Sequence, residues 1–351
     1  MAPAFSARFS ARFSARFSAG ACARLPAART RSNTPQPAHS IGFLMTALAR
    51  PILGALQSMP PLVLAALLAT WLIWGSTYLA IKWALASFPP FWQMGTRFIV
   101  AGLLLGAWAL GRGARWPARD EWINAGLLGA LMLGVSYGLT AQAELSVSSG
   151  LVVAFIGIGP ALQAAMELPY GLRPTRREAA GIALGLAGVL WLALGQGFSA
   201  APQGLLAVLV SSIAWKLGSV WTNHGLPRTL GGRALHLAPG AMGYASQMLA
   251  GGGVLVLLSL LLGEQPVWPL QPRAFWAWLY LVVAGSIVGF SAFMLLLQRT
   301  PTAVSASYAY VNPVIGMVLG ATLGGEVITR GEWMAAALIT LSVVLMVGGR
   351  R

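Results

Sequence analysis

The stretch TWLIWGSTYLAIKWALASFPP, Thr70 to Pro90, is an apolar run that carries one lysine and closes on a pair of prolines. Trp71, Trp74, Tyr78 and Lys82 stand three, four and four residues apart, so a helix gathers them on one face. The run belongs to an apolar segment of about twenty residues, which at ~1.5 Å per residue crosses ~30 Å of hydrocarbon. Segments of this kind recur from residue 60 onward. Ten are expected, near 62–84, 91–111, 123–143, 148–170, 179–196, 204–222, 240–262, 274–297, 303–324 and 332–349.

Composition points the same way: 57% of residues are apolar and 9% charged, where a soluble domain carries roughly a quarter of charged residues. Long unbroken runs satisfy their backbone within one helix and show none of the two-residue alternation of an outer-membrane strand. The expected fold class is therefore an all-α membrane protein.

The net charge of +15 would suit a nucleic-acid partner, yet its distribution is topological. With a cytoplasmic N-terminus, the inner loops hold Arg112, Arg115, Arg119, Arg173, Arg176, Arg177, Arg228, Arg233 and Arg299, and the inner C-terminus holds Arg350 and Arg351. The outer loops hold only Arg273 and Arg330. This is a positive-inside bias, and it places both termini in the cytoplasm with an even number of spans between them.

Residues 5–20 read FSAR, FSAR, FSAR, FSAG, and no Asp or Glu occurs before Arg50. An Arg- and Ser-rich transit peptide has this composition. A lipid-modified Cys22 would need a preceding apolar run, which is missing. The preferred reading is translated upstream sequence, with the true start at Met45 or Met59, so residues 1–59 are set aside as a low-complexity, disordered tail. Cys22 is the single cysteine, which excludes an internal disulfide and a zinc cluster.

The rest of the chain echoes itself. LIWGSTYL (Leu72 to Leu79) is matched by AWKLGSVW (Ala214 to Trp221), and FIGIGPALQ (Phe155 to Gln163) by YAYVNPVIG (Tyr308 to Gly316). The second offset carries Gly171 onto Gly324 and Arg177 onto Arg330. Two sets of five spans, 60–200 and 201–351, follow. An odd number of spans per set inverts the second relative to the first, a plan used by many secondary transporters.

On these residues a resemblance can be named. WGSTYLAIK, the helices of Pro160 and Pro313, and GATLGGEVITRGEWMAAALITLSVVLMV at the C-terminus resemble the drug/metabolite transporter superfamily, in particular its ten-span EamA-type exporters, over about 60–351. The resemblance implies ten transmembrane helices in two inverted five-helix EamA repeats, cytoplasmic termini and a central cavity. Substrates across that family range over amino acids, metabolites and toxic compounds. This chain departs from the pattern at Leu172-Arg173, where the second copy has Gly325-Glu326, and in the long connection 223–239.

Enzyme signatures do not emerge. His39, His224 and His236 fall in the tail or one loop, Asp120 and Glu121 in another, and HExxH, GxSxG and Walker A patterns do not occur. Gly157-Ile158-Gly159 is followed by Pro160 and reads as close helix packing. No cofactor or metal is expected.

Intramembrane polar residues are functional candidates by default. Lys82 lies near a helix end and reads as an interfacial anchor that snorkels its ammonium. Arg97 reads equally as a snorkelling residue or as a counter-charge to an anionic ligand, and Lys216 is the deepest cation. The expected substrate cavity comprises Trp74, Tyr78, Tyr137, Gln142, Gln163, Lys216, Trp221, Tyr308 and Asn312. Glu144 and Glu167 are candidates for ion coupling, with interfacial solvation as the rival reading. Gly316 and Gly320 read as a small-residue helix contact.

The function expected is secondary transport across the bacterial inner (plasma) membrane: export of small amphipathic metabolites, amino-acid-like compounds or drugs by alternating access. The partners expected are a small-molecule substrate and the lipid bilayer, with a homodimer left open and no nucleic acid. A membrane scaffold without transport is the alternative; an intramembrane enzyme lacks a nucleophile and base.

Overall fold

A computed structural model describes residues 59–194, 202–300 and 308–347. The expectations about the FSAR repeat, Cys22 and a start at Met45 lie outside the described residues. Among those residues the structure is helical, with no strand. In chain order the helices are α1 (Pro61–Ala84), α2 (Pro90–Gly111), α3 (Arg119–Ala143), α4 (Ser149–Ile156), α5 (Gly159–Glu167), α6 (Arg176–Leu194), α7 (Pro202–His224) and α8 (Ala241–Leu261). In α9 the α-helical parts Pro272–Tyr280 and Gly289–Arg299 flank a π-helical stretch, Leu281–Val288. Then come α10 (Tyr308–Thr322) and α11 (Arg330–Val347). Proline opens α1, α2, α7 and α9, a position where its missing N–H is not needed and its fixed φ suits a helix.

Six described helices are long and apolar enough to cross a membrane: α1, α2, α3, α7, α8 and Pro272–Phe293 of α9. The segment expected at 148–170 is instead two short helices and a 3-10 turn, Leu168–Tyr170. The cause is local. Pro160 has no N–H to continue the ladder, and the chain restarts from Ile158, whose carbonyl accepts from Ala161 N at 2.9 Å and Leu162 N at 3.2 Å.

Two helices widen in mid-course: α3 is π-helical over Ala130–Tyr137 and α9 over Leu281–Val288. In the second, Ser286 Oγ donates to Leu281 O at 3.1 Å, five residues back. Such widened turns re-aim side chains and recur at functional sites.

Small residues decide which helices meet, because lipid offers no hydrophobic drive and association rests on close backbone approach. At the α3–α8 crossing a Cβ on Gly129 would stand 2.5 Å from Gln247 O, and one on Gly251 would stand 2.5 Å from Gly129 O. Only glycine fits there. Helix α2 packs on α8, α6 on α11, α1 on α9 and α10, and α7 on α3, α4 and α5. Trp74, Met94, Phe98, Leu133, Met248 and Leu281 form the buried core between them, while Leu103, Leu104, Leu257, Leu260 and Leu261 are exposed on α2 and α8, as a lipid-facing surface requires.

One end of the helices is held by polar clasps. Glu264 accepts from Trp92 N at 2.8 Å, at the start of α2. Glu326 accepts from Ser149 N at 3.0 Å, Ser149 Oγ at 2.9 Å and Gly150 N at 3.2 Å, at the start of α4. Carboxylates suit helix N-termini, where donors are unsatisfied and the dipole is positive. Lys82, expected as an interfacial anchor, belongs to this set. Its half-buried ammonium donates to Glu144 O at 2.6 Å and Val147 O at 3.1 Å, because carbonyls just past the end of α3 have no helical partners.

Candidate functional site

Helices α1, α3, α7 and α10, with the α4–α5 break, surround a cavity of about 60 Å³, and a second chamber of about 80 Å³ adjoins it. Trp215, Lys216 and Tyr308 line both and form the partition. The first chamber is bounded by Trp74, Thr77 and Tyr78 of α1 and by Ser136, Tyr137 and Thr140 of α3. The second runs past Gln163, Gln247 and Ser219 to Thr222 and Asn223, which are exposed in the last turn of α7.

The apolar wall is aromatic. Trp74 is its hub, with ring centroids 4.9 Å from Tyr308, 5.0 Å from Phe293, 5.4 Å from Phe290 and 6.4 Å from Trp215. Its indole N–H donates to Gly285 O at 3.3 Å, inside the π-helical stretch of α9. Those to Tyr308, Phe290 and Trp215 are edge-to-face, contacts that add about 0.5–1.5 kcal/mol each beyond area burial, so the wall is stiff. Opposite it lies a hydroxyl cluster, where Ser211 Oγ lies 2.7 Å from Thr140 Oγ1 and 3.2 Å from Ser136 Oγ. The neighbouring Ser212 Oγ is buried without a partner among the described residues.

Among the described residues one cation enters this space. Lys216 is 8% exposed and donates to Gln163 Oε1 at 3.4 Å. The break between α4 and α5 makes room for it, since a Cβ on Gly159 would stand 2.6 Å from Lys216 Cε. Gln163 in turn donates through Nε2 to Glu167 Oε1 at 3.0 Å, one helical turn on.

The structure brings Trp74, Tyr78, Tyr137, Gln163, Lys216 and Tyr308 together at the cavity. Three others lie elsewhere. Gln142 is exposed one residue short of the end of α3, and Trp221 is half-buried on α7 away from both chambers. Asn312 is 3% exposed; with its amide turned to donate, it reaches Trp71 O at 3.2 Å and Tyr308 O at 3.1 Å and ties α10 to α1. Glu144 is fully buried outside the lining, with neither carboxylate oxygen hydrogen-bonded among the described residues. Arg97 neither snorkels nor reaches the cavity. It is 1% exposed, donates to Ser286 Oγ at 2.8 Å, and lies against the rings of Phe98 and Tyr137.

Sequence reasoning missed Trp215, Phe290, Phe293, Tyr244, Ser136 and Ser211, all of which line the chambers. A signal existed for two of them: Ser211, Trp215 and Ser219 recur at four-residue spacing, the face that Lys216 borders.

An aromatic cavity at the centre of a membrane-spanning bundle is a place for a solute in transit. The EamA-like transporter family matches the chain twice, over residues 61–194 and 202–348. The chain belongs to that family. It is a membrane transporter, multi-pass in the inner membrane. This EamA-family chain is 37% identical over 286 residues to the uncharacterized inner membrane transporter YedA of Escherichia coli (strain K12), covering 81% of this chain and 90% of that one. It is 24% identical over 292 residues to a probable amino-acid metabolite efflux pump of Salmonella typhimurium, covering 80% and 92%. A solved crystal structure aligns over 81% of the EamA-family chain and 95% of its own with a TM-score of 0.58 and 20% identity, a likeness of fold.

Proposed function

We propose that this transporter is a ten-span secondary carrier built from two inverted five-helix repeats, 60–200 and 201–351, with both termini cytoplasmic, and that it exports amphipathic solutes bearing an anionic group. The observation that carries the reading is Lys216, a buried ammonium on the wall shared by both chambers and surrounded by aromatic rings. An apolar body would stack on Trp74, Trp215 and Tyr308, and a carboxylate would take the ammonium; a site with an apolar lining and one placed polar group is the general pattern for small ligands.

Several features support the architecture. The family match falls in two blocks of similar length. Among the described residues a π-helical stretch occurs once in each block, before Gly138 and before Gly289. Helices also pair across the blocks, α2 with α8 and α6 with α11. The arginine bias supports the orientation. Export of amino-acid-like solutes is in keeping with the name of the Salmonella typhimurium relative, a probable amino-acid metabolite efflux pump.

In this reading Trp74, Tyr78, Tyr137, Lys216 and Tyr308 contact the solute, Gln163 stands on the cavity wall beside Lys216, Glu167 and Glu144 are the carboxylates available for ion coupling, and no chemical step is assigned. The test is uptake of a metabolite panel into inside-out vesicles, with and without a pH gradient. Accumulation of carboxylates that is lost in Lys216→Gln supports the reading, and accumulation of neutral and cationic solutes alone overturns it.

A further inference from the structure

The cavity cation already has a counter-charge, and the chain supplies it on a jointed arm. Lys216 Nζ donates to Gln163 Oε1 at 3.4 Å, and Gln163 Nε2 donates to Glu167 Oε1 at 3.0 Å. An amide held this way presents its oxygen to the ammonium and its nitrogen to the carboxylate, so it is polarised by both and passes the attraction on without moving a proton. Glu167 is 8% exposed. Its Oε1 also lies 4.0 Å from His224 Nε2, at the end of α7 where the second chamber reaches the surface. His224 lies tilted against Tyr170, 5.1 Å between ring centroids, and Tyr170 Oη donates to Gly225 O at 2.6 Å, so the outer end of the arm is fixed to the α7 terminus.

We propose that the Gln163–Glu167 arm is a built-in competitor for the substrate's anionic group: it neutralises Lys216 while the cavity is empty and is displaced when a carboxylate binds. The inference rests on the reading of Lys216 given above and adds the group that sets its affinity. Two observations favour it over a merely structural link. The contact to Lys216 is long at 3.4 Å, the kind a better-placed anion displaces, whereas the contact within α5 is short and local. The break at Gly157–Pro160 frees the first turn of α5 from the helical ladder of α4, so Gln163 is carried on a short separate element. A displaced Glu167 keeps His224 as its neighbour, which avoids leaving a buried carboxylate alone. The arm makes the site selective as well: a neutral solute gains nothing at Lys216 and leaves the arm in place, while an anion exchanges one counter-charge for another.

The test uses the full chain in lipid nanodiscs and two radiolabelled probes of like shape, benzoate and the uncharged benzamide. Glu167→Gln removes the charge and keeps an acceptor for Gln163. The proposal expects it to tighten benzoate binding on the order of tenfold and to leave benzamide unchanged. Glu167→Asp keeps the charge and is expected to show no such gain. Gln163→Leu severs the arm without touching Glu167 and is expected to tighten benzoate in the same direction. Lys216→Gln, alone or combined with Glu167→Gln, is expected to abolish both the benzoate preference and the gain. Benzoate affinity unchanged in Glu167→Gln and Gln163→Leu, with Lys216→Gln still abolishing the preference, overturns the arm and leaves the anion site standing. Equal tightening of both probes also overturns the arm, since the effect is then not one of charge. A benzoate preference that survives Lys216→Gln, or no saturable benzoate binding in any variant, overturns the anion site and the arm together.

Discussion

Lys82 of α1 donates to two main-chain oxygens past the end of α3, Glu144 O at 2.6 Å and Val147 O at 3.1 Å. One side chain thereby closes a helix terminus that belongs to a different helix. Sequence position alone makes Lys82 look like a headgroup anchor, because it lies two residues from the end of its own helix. The end of α3 lies within reach of that ammonium, and the carbonyls there are without helical partners.

The first prediction follows from that contact. Lys82→Met leaves two carbonyls without their donor and should lower stability by about 1–3 kcal/mol, read as a lower melting midpoint in detergent. Lys82→Arg keeps a cation and should recover part of the loss. A headgroup anchor would tolerate both changes equally.

Backbone contact at the α3–α8 crossing gives a sharper contrast. Gly251 and Gly253 are two residues apart on α8, yet a Cβ on the first meets Gly129 O at 2.5 Å and one on the second meets nothing within 4 Å. Gly251→Ala should therefore cost about 1–3 kcal/mol or more through overpacking against backbone, and Gly253→Ala should be neutral. Size-exclusion profiles of the two variants after mild heating would separate them.

A third prediction concerns the notch under the cavity cation. The atom that a new Cβ at Gly159 would meet is Lys216 Cε at 2.6 Å, the far part of a flexible side chain that can swing aside. Gly159→Ala should thus fold and express normally while re-aiming the ammonium, so that carboxylate transport falls and the melting midpoint stays. An equal fall in both would mean that Gly159 serves packing alone.

How much of this could be read from the sequence depends on the range of the interaction. Apolar run length is a local property, and all six of the long apolar helices fall on expected runs. The aromatic wall was half legible: Trp74, Tyr78, Tyr137 and Tyr308 are polar-tipped aromatics within apolar runs, which mark themselves. Phe290 and Phe293 have no polar tip, and they reach the cavity only because α9 packs on α1. Gln142 misled in the opposite sense. It shares a segment with Tyr137 and Thr140, but it stands five and two residues from them in the α-helical end of α3, Gly138–Ala143, and at about 100° per residue it points away from the face they give the cavity. Lys82, Asn312 and Arg97 were misplaced for one reason: each is satisfied by groups on a helix far away in sequence, and a single-helix reading offers only headgroups or ligand as partners.

The orientation proposed above has its own test. Reporter fusions after Arg119 and after Arg177 should both report a cytoplasmic location, because the loops they end carry the basic clusters. A periplasmic signal from either would invert the assignment of the clasped end and the chamber mouth.

The last prediction separates the two faces of α1. Tyr78 lines the first chamber, whereas Leu72, less than two turns earlier on the same helix, is 59% exposed on the outside of the bundle. Six residues rotate a helix by about 240°, so the two side chains point well apart and chemistry can tell them apart. In a background with Cys22→Ser, Tyr78→Cys should react with a water-soluble maleimide in inverted vesicles, and an aromatic carboxylate should slow the reaction. Leu72→Cys should react only with a lipid-confined reagent and ignore the carboxylate. Trp74→Phe completes the set: it removes the N–H donor to Gly285 O but keeps an aromatic ring at the hub, so protein levels should hold while substrate range shifts. Labelling of Tyr78→Cys from the lipid side alone would show that the stripe from Trp71 to Lys82 faces the bilayer and would remove Tyr78 from the solute path.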